Sequence, residues 1–387
     1  MRWRFPHPSE SAARELILGC IEAWWKAFAE AGPRLDDFFR RRGSWDLAGW
    51  MRGTLGLVDE RIVWEFGPPA RGGDGHRLVL TPESERQLRP LVEVVLARAP
   101  RVPGWEFHAH RLPETLAAAL RTVAERTSVD LTGWLARATL SEEGLVDVTL
   151  APPAPLTPTG EVHRAALVLV EALVGEEVMD VWIGAIEVDE EPDGGAGVPL
   201  VALAGHLGAR VEARRARVPE LPYWRRAADA PWTLLRLAPK TSAAVDYPGQ
   251  QDMLVAKTVD FELWRAQHGR RPFHSRRFSR SGEIMGTLKI DGAEGLPTDG
   301  LADKAAVEDA VTAALEPRGL GGQIGGGTGL RYSYVDLALT DVEAAMDALR
   351  PVLRAGKLPR RTWLQFFDAE LADEWLPLWD DTPPPPR

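Results

Sequence analysis

Strand and helix signals alternate between Ile284 and Phe367, and this alternation restricts the fold more than any other feature of the chain. Ile284–Ile290 reads as a strand, Asp303–Leu315 as a helix and Leu330–Leu339 as a strand. Thr340-Asp341-Val342-Glu343 has the form of a capping box and opens a helix ending near Gly356, and Thr362–Phe367 is a last strand. The order is β-α-β-α-β, with room in 321–339 for two strands.

Earlier in the chain, an amphipathic helix is expected over 9–31, with Leu16, Ile17, Cys20, Trp24 and Phe28 on one face and Gly32-Pro33 as its stop. Short strands at 62–66 and 77–81 flank the turn-rich GPPARGGDG, and strand–helix–strand units follow at 77–110 and 145–188. Four prolines in 151–160 interrupt any regular element. Residues 253–264 read as a strand and 265–282 as a loop. The expected class is α+β, with two or more α/β-sandwich modules of split β-α-β, ferredoxin-like element order, clearest in the C-terminal part. The expected division is an N-terminal α+β domain (1–196) with the leading helix, a connecting helix and loops (197–250), and a C-terminal domain (251–387) ending in a proline-rich tail.

Composition narrows the function classes. One cysteine, Cys20, excludes an internal disulfide framework and a Cys-based zinc site. No apolar run is long enough to span a bilayer and the start lacks a signal-like apolar core, so a soluble cytoplasmic protein without membrane contact is expected. The net charge of −10 disfavours nucleic acid as a partner. There are 40 arginines to 6 lysines, and 15 tryptophans to 4 tyrosines. Arginine suits bidentate ion pairs, and tryptophan suits either cores or interface anchors.

Three stretches carry candidate chemistry. In GLGGQIGGGTGLRYSY (319–334), Gly325, Gly326, Gly327 and Thr328 invite comparison with a phosphate cradle. Thr328 stands where a P-loop needs lysine, and the glycines run into a strand instead of opening a helix, so a glycine bulge or hairpin is the ordinary reading. The second stretch holds six arginines within 16 residues, among them Arg270, Arg271, Arg276 and Arg277, interleaved with Phe273 and Phe278. It suits a phosphate or an acidic partner, or else pairs with the chain's own carboxylates. The third places Trp363, Glu370, Asp373, Glu374, Trp375 and Trp379 close together, as a docking surface or as tryptophans packed back on the domain. His108 and His110 share a strand face, yet no spacing completes a metal site.

No GxSxG elbow or kinase-type motif is present, and no cofactor or metal is expected. These features favour a non-catalytic intracellular protein-binding protein, for example a bacterial immunity-type or inhibitor protein, with another protein as its partner. The alternative is an enzyme or regulator that binds a phosphorylated small molecule or nucleotide at the 321–329 glycines with the 265–280 arginines.

Overall fold

A computed structural model describes residues 1–70, 72–195 and 197–386. Arg71 of the GPPARGGDG turn, Ala196 at the expected domain boundary and Arg387 of the tail lie outside the described residues. The protein is mixed α+β, with three sheets among the described residues. It divides into two compact units: residues 1–137, 149–180 and 186–204, and residues 138–148, 181–185 and 205–387. No helix among the described residues is long and apolar enough to cross a membrane.

The first unit opens with α1 (Ser11–Phe39), which runs straight through Pro33. The proline removes one helical hydrogen bond, at a cost of about 3 kcal/mol. Apolar burial beyond it offsets that cost: Leu35 is fully buried, and Phe39 packs on Phe66 and Trp105. The buried stripe is Ile21, Trp24, Trp25, Phe28 and Leu35, whereas Leu16 is 73% exposed. The stripe therefore lies to one side of the face read from the sequence. After α2 (Leu47–Thr54) come β1 (Val63–Gly67), β2 (His76–Thr81), α3 (Arg89–Ala97) and β3 (Trp105–His108). β1 pairs antiparallel and β3 parallel with β2. Trp25 and Phe28 meet Phe107 and Trp105 edge-on, and Trp25 Nε1 donates to Val95 O (2.8 Å).

Next follow α4 (Leu116–Thr127), β4 (Leu135–Leu140), β5 (Val146–Ala151), α5 (Gly160–Val174), α6 (Glu176–Trp182), β6 (Ile183–Val188), β7 (Val198–Pro199) and α7 (Leu200–Arg217). The second sheet has the order β6-β5-β4-β7. The strand–helix–strand units at 77–110 and 145–188 thus lie in different sheets, because β2 takes β1 and β3 as neighbours while β5 takes β4 and β6.

The second unit is built on a seven-stranded sheet. Its elements are α8 (Tyr223–Ala228), β8 (Thr233–Arg236), β9 (Met253–Thr258), α9 (Phe261–His268), β10 (Ile284–Asp291), α10 (Lys304–Leu315), β11 (Gly321–Gly329), β12 (Tyr332–Leu339), α11 (Val342–Ala355), β13 (Thr362–Phe366) and β14 (Trp375–Pro377). The strand expected over 253–264 stops at Thr258, because the Asp260 carboxylate accepts from Glu262 N and Leu263 N and caps α9. The sheet order is β14-β13-β10-β12-β11-β9-β8, antiparallel throughout.

Alternation gives this sheet two unlike faces. Leu288, Ile290, Val335, Leu337, Leu339 and Leu364 are buried on one side. The stripes Val307, Val311 and Leu315 of α10 and Met346, Leu349 and Leu353 of α11 are buried as well. These two helices pack on each other, and α10 packs on β11. The residues of opposite phase are Thr287, Lys289 and Asp291 on β10, Tyr332, Tyr334 and Asp336 on β12, and Trp363 and Gln365 on β13. That second face carries the candidate site.

Candidate functional site

Register aligns the polar residues in rows. Thr287 stands between Asp336 and Gln365, Lys289 between Tyr334 and Trp363, and Asp291 opposite Tyr332. The next strand, β11, places Gly325 beside Asp336 and Gly327 beside Tyr334. A Cβ on Gly325 would meet Asp336 Oδ2 at 3.0 Å, one on Gly327 would meet Met253 Sδ at 2.5 Å, and one on Gly329 would overlap the Asp252 carboxylate. Gly326 has φ +141°, with Tyr334 O against the place of its missing Cβ. The glycine run is therefore a strand stripped of side chains so that neighbouring carboxylates and backbone come close.

The loop before β9 covers the far end of this face. Lys289 is fully buried, and its Nζ donates to Tyr247 O (2.7 Å) and Gly249 O (3.0 Å) and lies 4.2 Å from the Tyr332 ring centre. Burial lowers its pKa to about 8, against the pull of Asp246, Asp252 and Asp291. The Tyr334 hydroxyl donates to Asp252 Oδ1 (2.7 Å). Arg331 and Arg361 both hold Asp291, each at 2.7 Å, and Asp291 sits below the ordinary carboxylate range because these bonds outweigh its burial.

At the other end a cavity of about 480 Å³ opens. Thr287, Gln365, Gln250 and Gln267 give it hydroxyl and amide groups, and Phe367 and Trp375 give it aromatic surface. Asp373 also lines it, and Pro384, Pro385 and Pro386 contribute a wall. Gln250 connects the cavity to the buried row: its Nε2 donates to Asp336 Oδ1 (3.1 Å), and its Oε1 accepts from Gln267 Nε2 (3.1 Å). Asp336 is 5% exposed, and burial raises its pKa to about 6, against hydrogen bonds from Thr287 and Gln250. Among the described residues the cavity lining includes no arginine or lysine, and its charged or ionisable groups are Asp373 and His268.

The residues singled out from sequence fall in three places. Gly325, Gly326, Gly327 and Thr328 belong to β11 and do not line the cavity. The arginines disperse. Arg276 lies 3.6 Å from Glu370, Arg265 is 3.0 Å from Glu142, and buried Arg277 donates to Glu143 O. Arg270 and Arg271 are exposed. Burial lowers the Arg277 pKa to about 10. Of the C-terminal cluster, Trp363, Glu374 and Trp375 are buried, while Glu370 and Trp379 are half-buried and Asp373 is exposed. Arg354 and Arg360 cover the Trp379 ring, 5.5 and 4.3 Å from its centre. Asp373 and Trp375 nevertheless meet at the cavity, and Trp363 lies in the adjacent row.

Sequence reading missed Thr287, Lys289, Tyr332, Tyr334, Asp336 and Gln365. Their signal was present: each β strand carries polar or aromatic residues in the same phase, opposite the aliphatic ones. Gln250 lies in the stretch before β9, which has no periodicity to read. No protein family, curated protein or solved structure matches this chain.

Proposed function

We propose that this is a non-catalytic binding protein whose C-terminal region, read as the domain 251–387, has a ferredoxin-like core and receives a protein partner at the cavity over Thr287 and Gln365. The fold assignment is supported by the element order β10-α10-β11-β12-α11-β13 and the strand order β13-β10-β12-β11, which is 4-1-3-2 within that set. The functional reading rests on one observation: the cavity over Thr287 and Gln365 is lined by amides, a hydroxyl and aromatic rings. Such groups hold a ligand through complementarity, and buried aromatics anchor interfaces. A phosphorylated ligand at Gly325–Thr328 has less behind it. Those residues are paired strand backbone, and Arg276 and Arg277 already engage Glu370 and Glu143.

Photo-crosslinking tests the proposal. A benzophenone side chain replacing Gln365, which is half-buried at the cavity, is expected to give discrete protein adducts in an extract of the native host. The same probe at exposed Arg270 serves as the comparison position. Adducts at 270 with none at 365 would move the site away from this face and defeat the proposal.

A further inference from the structure

The wall of the cavity made by the chain's own prolines indicates what the cavity takes. Pro383, Pro384, Pro385 and Pro386 are consecutive. Each ring fixes φ near −65°, and each proline drives the residue before it towards the extended region, so the run favours a polyproline II rod with backbone carbonyls and no N–H donors. A surface that binds such a rod needs aromatic faces for the rings and donors for the carbonyls. The face that carries Trp363 and Gln365 supplies both. Trp363 Nε1 donates to Pro383 O (2.6 Å), and Pro384–Pro386 line the same cavity as Trp375, Phe367 and Gln365. The run is anchored upstream, where Trp379 N donates to Thr382 Oγ1 (2.9 Å). Pro383 and Pro384 are themselves exposed.

We infer that the cavity is a receptor for a proline-rich segment of a partner protein in the polyproline II conformation, with residues 383–386 as a resident occupant that the partner segment displaces. The inference rests on the binding role proposed above and specifies its ligand. Trp363 is the carbonyl donor, Trp375 and Phe367 are the ring-packing surface, and the side-chain amide of Gln365 is a second donor. A tethered occupant competes at an effective concentration on the order of millimolar, so the intact chain binds such a segment weakly until its own run is moved aside.

The test uses the full chain, a full-length variant in which Pro383→Gly, Pro384→Ser, Pro385→Gly and Pro386→Ser are combined, and a fluorescent peptide of sequence DDTPPPP, matching residues 380–386. Fluorescence anisotropy is expected to show the variant binding the peptide at least tenfold more tightly than the native chain. An analogue with alanine at the four prolines should not bind. Adding Trp363→Phe, which keeps the ring and removes the donor, should weaken peptide binding about fivefold. Gln365→Ala, at a half-buried position, gives an independent loss should the tryptophan change disturb folding. Failure of the tail-substituted variant to bind the peptide overturns the inference. If adducts still form through position 365, the binding role stands and only the proline class is lost; if they are absent too, both fall.

Discussion

Two buried sites, one in each unit, answer charge in different ways. In the first, Arg89 and Glu176 are almost fully buried and face each other at 2.8 Å. Glu176 also accepts from the Thr81 hydroxyl and from Arg111 N (3.0 Å). Burial pushes the Glu176 carboxyl up, but Arg89 and these hydrogen bonds outweigh it and hold the pKa below the ordinary value. In the second unit, Lys289 donates to carbonyls and Asp336 accepts from an amide, and burial moves each pKa toward the neutral form. Charges paired side chain to side chain remain charged and hold the fold. Buried ionisable groups whose direct hydrogen bonds are made to neutral dipoles cost stability, and such groups persist where something other than stability selects them.

The sharpest way to break this contrast is Glu176→Gln. It leaves Arg89 buried opposite a neutral amide and is expected to destabilise the first unit by about 3–5 kcal/mol in chemical denaturation. A loss under 1 kcal/mol would show that the pair does not hold the unit. Because the folded pKa of Glu176 is lowered, its contribution is fully present above about pH 4.5 and is lost as pH falls through the folded value, so the difference between native and variant should shrink in acid.

Lys289→Met probes the other side. With the folded pKa lowered to about 8 from 10.5, the unfolded chain binds a proton between those values that the folded chain does not. Native stability should therefore rise by about 3 kcal/mol from pH 8 to 10.5 relative to the variant, measured by urea unfolding at several pH values. Parallel curves would refute the buried-lysine account.

Asp336→Asn has the reverse sign. A carboxyl raised to about 6 keeps its proton in the folded state while the unfolded chain has lost its own, so native stability falls as pH rises from 3.8 to 6. At pH 7 the asparagine variant should be more stable by about 2–3 kcal/mol, and the two should converge below pH 4. A less stable variant at pH 7 would mean that the carboxylate itself is needed by the fold.

The smallest effects compare two indoles. Trp25→Phe strands Val95 O inside the first unit and should cost about 1–2 kcal/mol, whereas Trp363→Phe frees the carbonyl of exposed Pro383 to water and should cost less than about 1 kcal/mol in thermal unfolding.

The helix and strand order after Ile284 was legible because period-2 and period-3.6 patterns are strong there and Asp341 caps α11. The α+β class follows from that order. Pro33 misled because a local penalty was weighed without the buried Leu35 beyond it. The glycine run drew attention as a ligand loop, although its composition answers to Asp336, Met253 and Asp252, residues whose proximity arises only when the sheet closes. Likewise, Trp363 and Trp375 stood out by type, but their burial and their relation to the prolines depend on the pairing of β13 with β10 and β14. Local pattern reads elements, whereas a site assembled across three strands and two loops requires the register.

The central claim is that the cavity over Thr287 and Gln365 keeps polar groups in order to bind. Its most direct test is the unfolding free energy of Gln365→Leu. A lining kept for binding adds nothing to the fold, so stability should be unchanged or higher by up to about 1 kcal/mol. A loss of more than about 2 kcal/mol would show that the amide serves the fold and would contradict the claim.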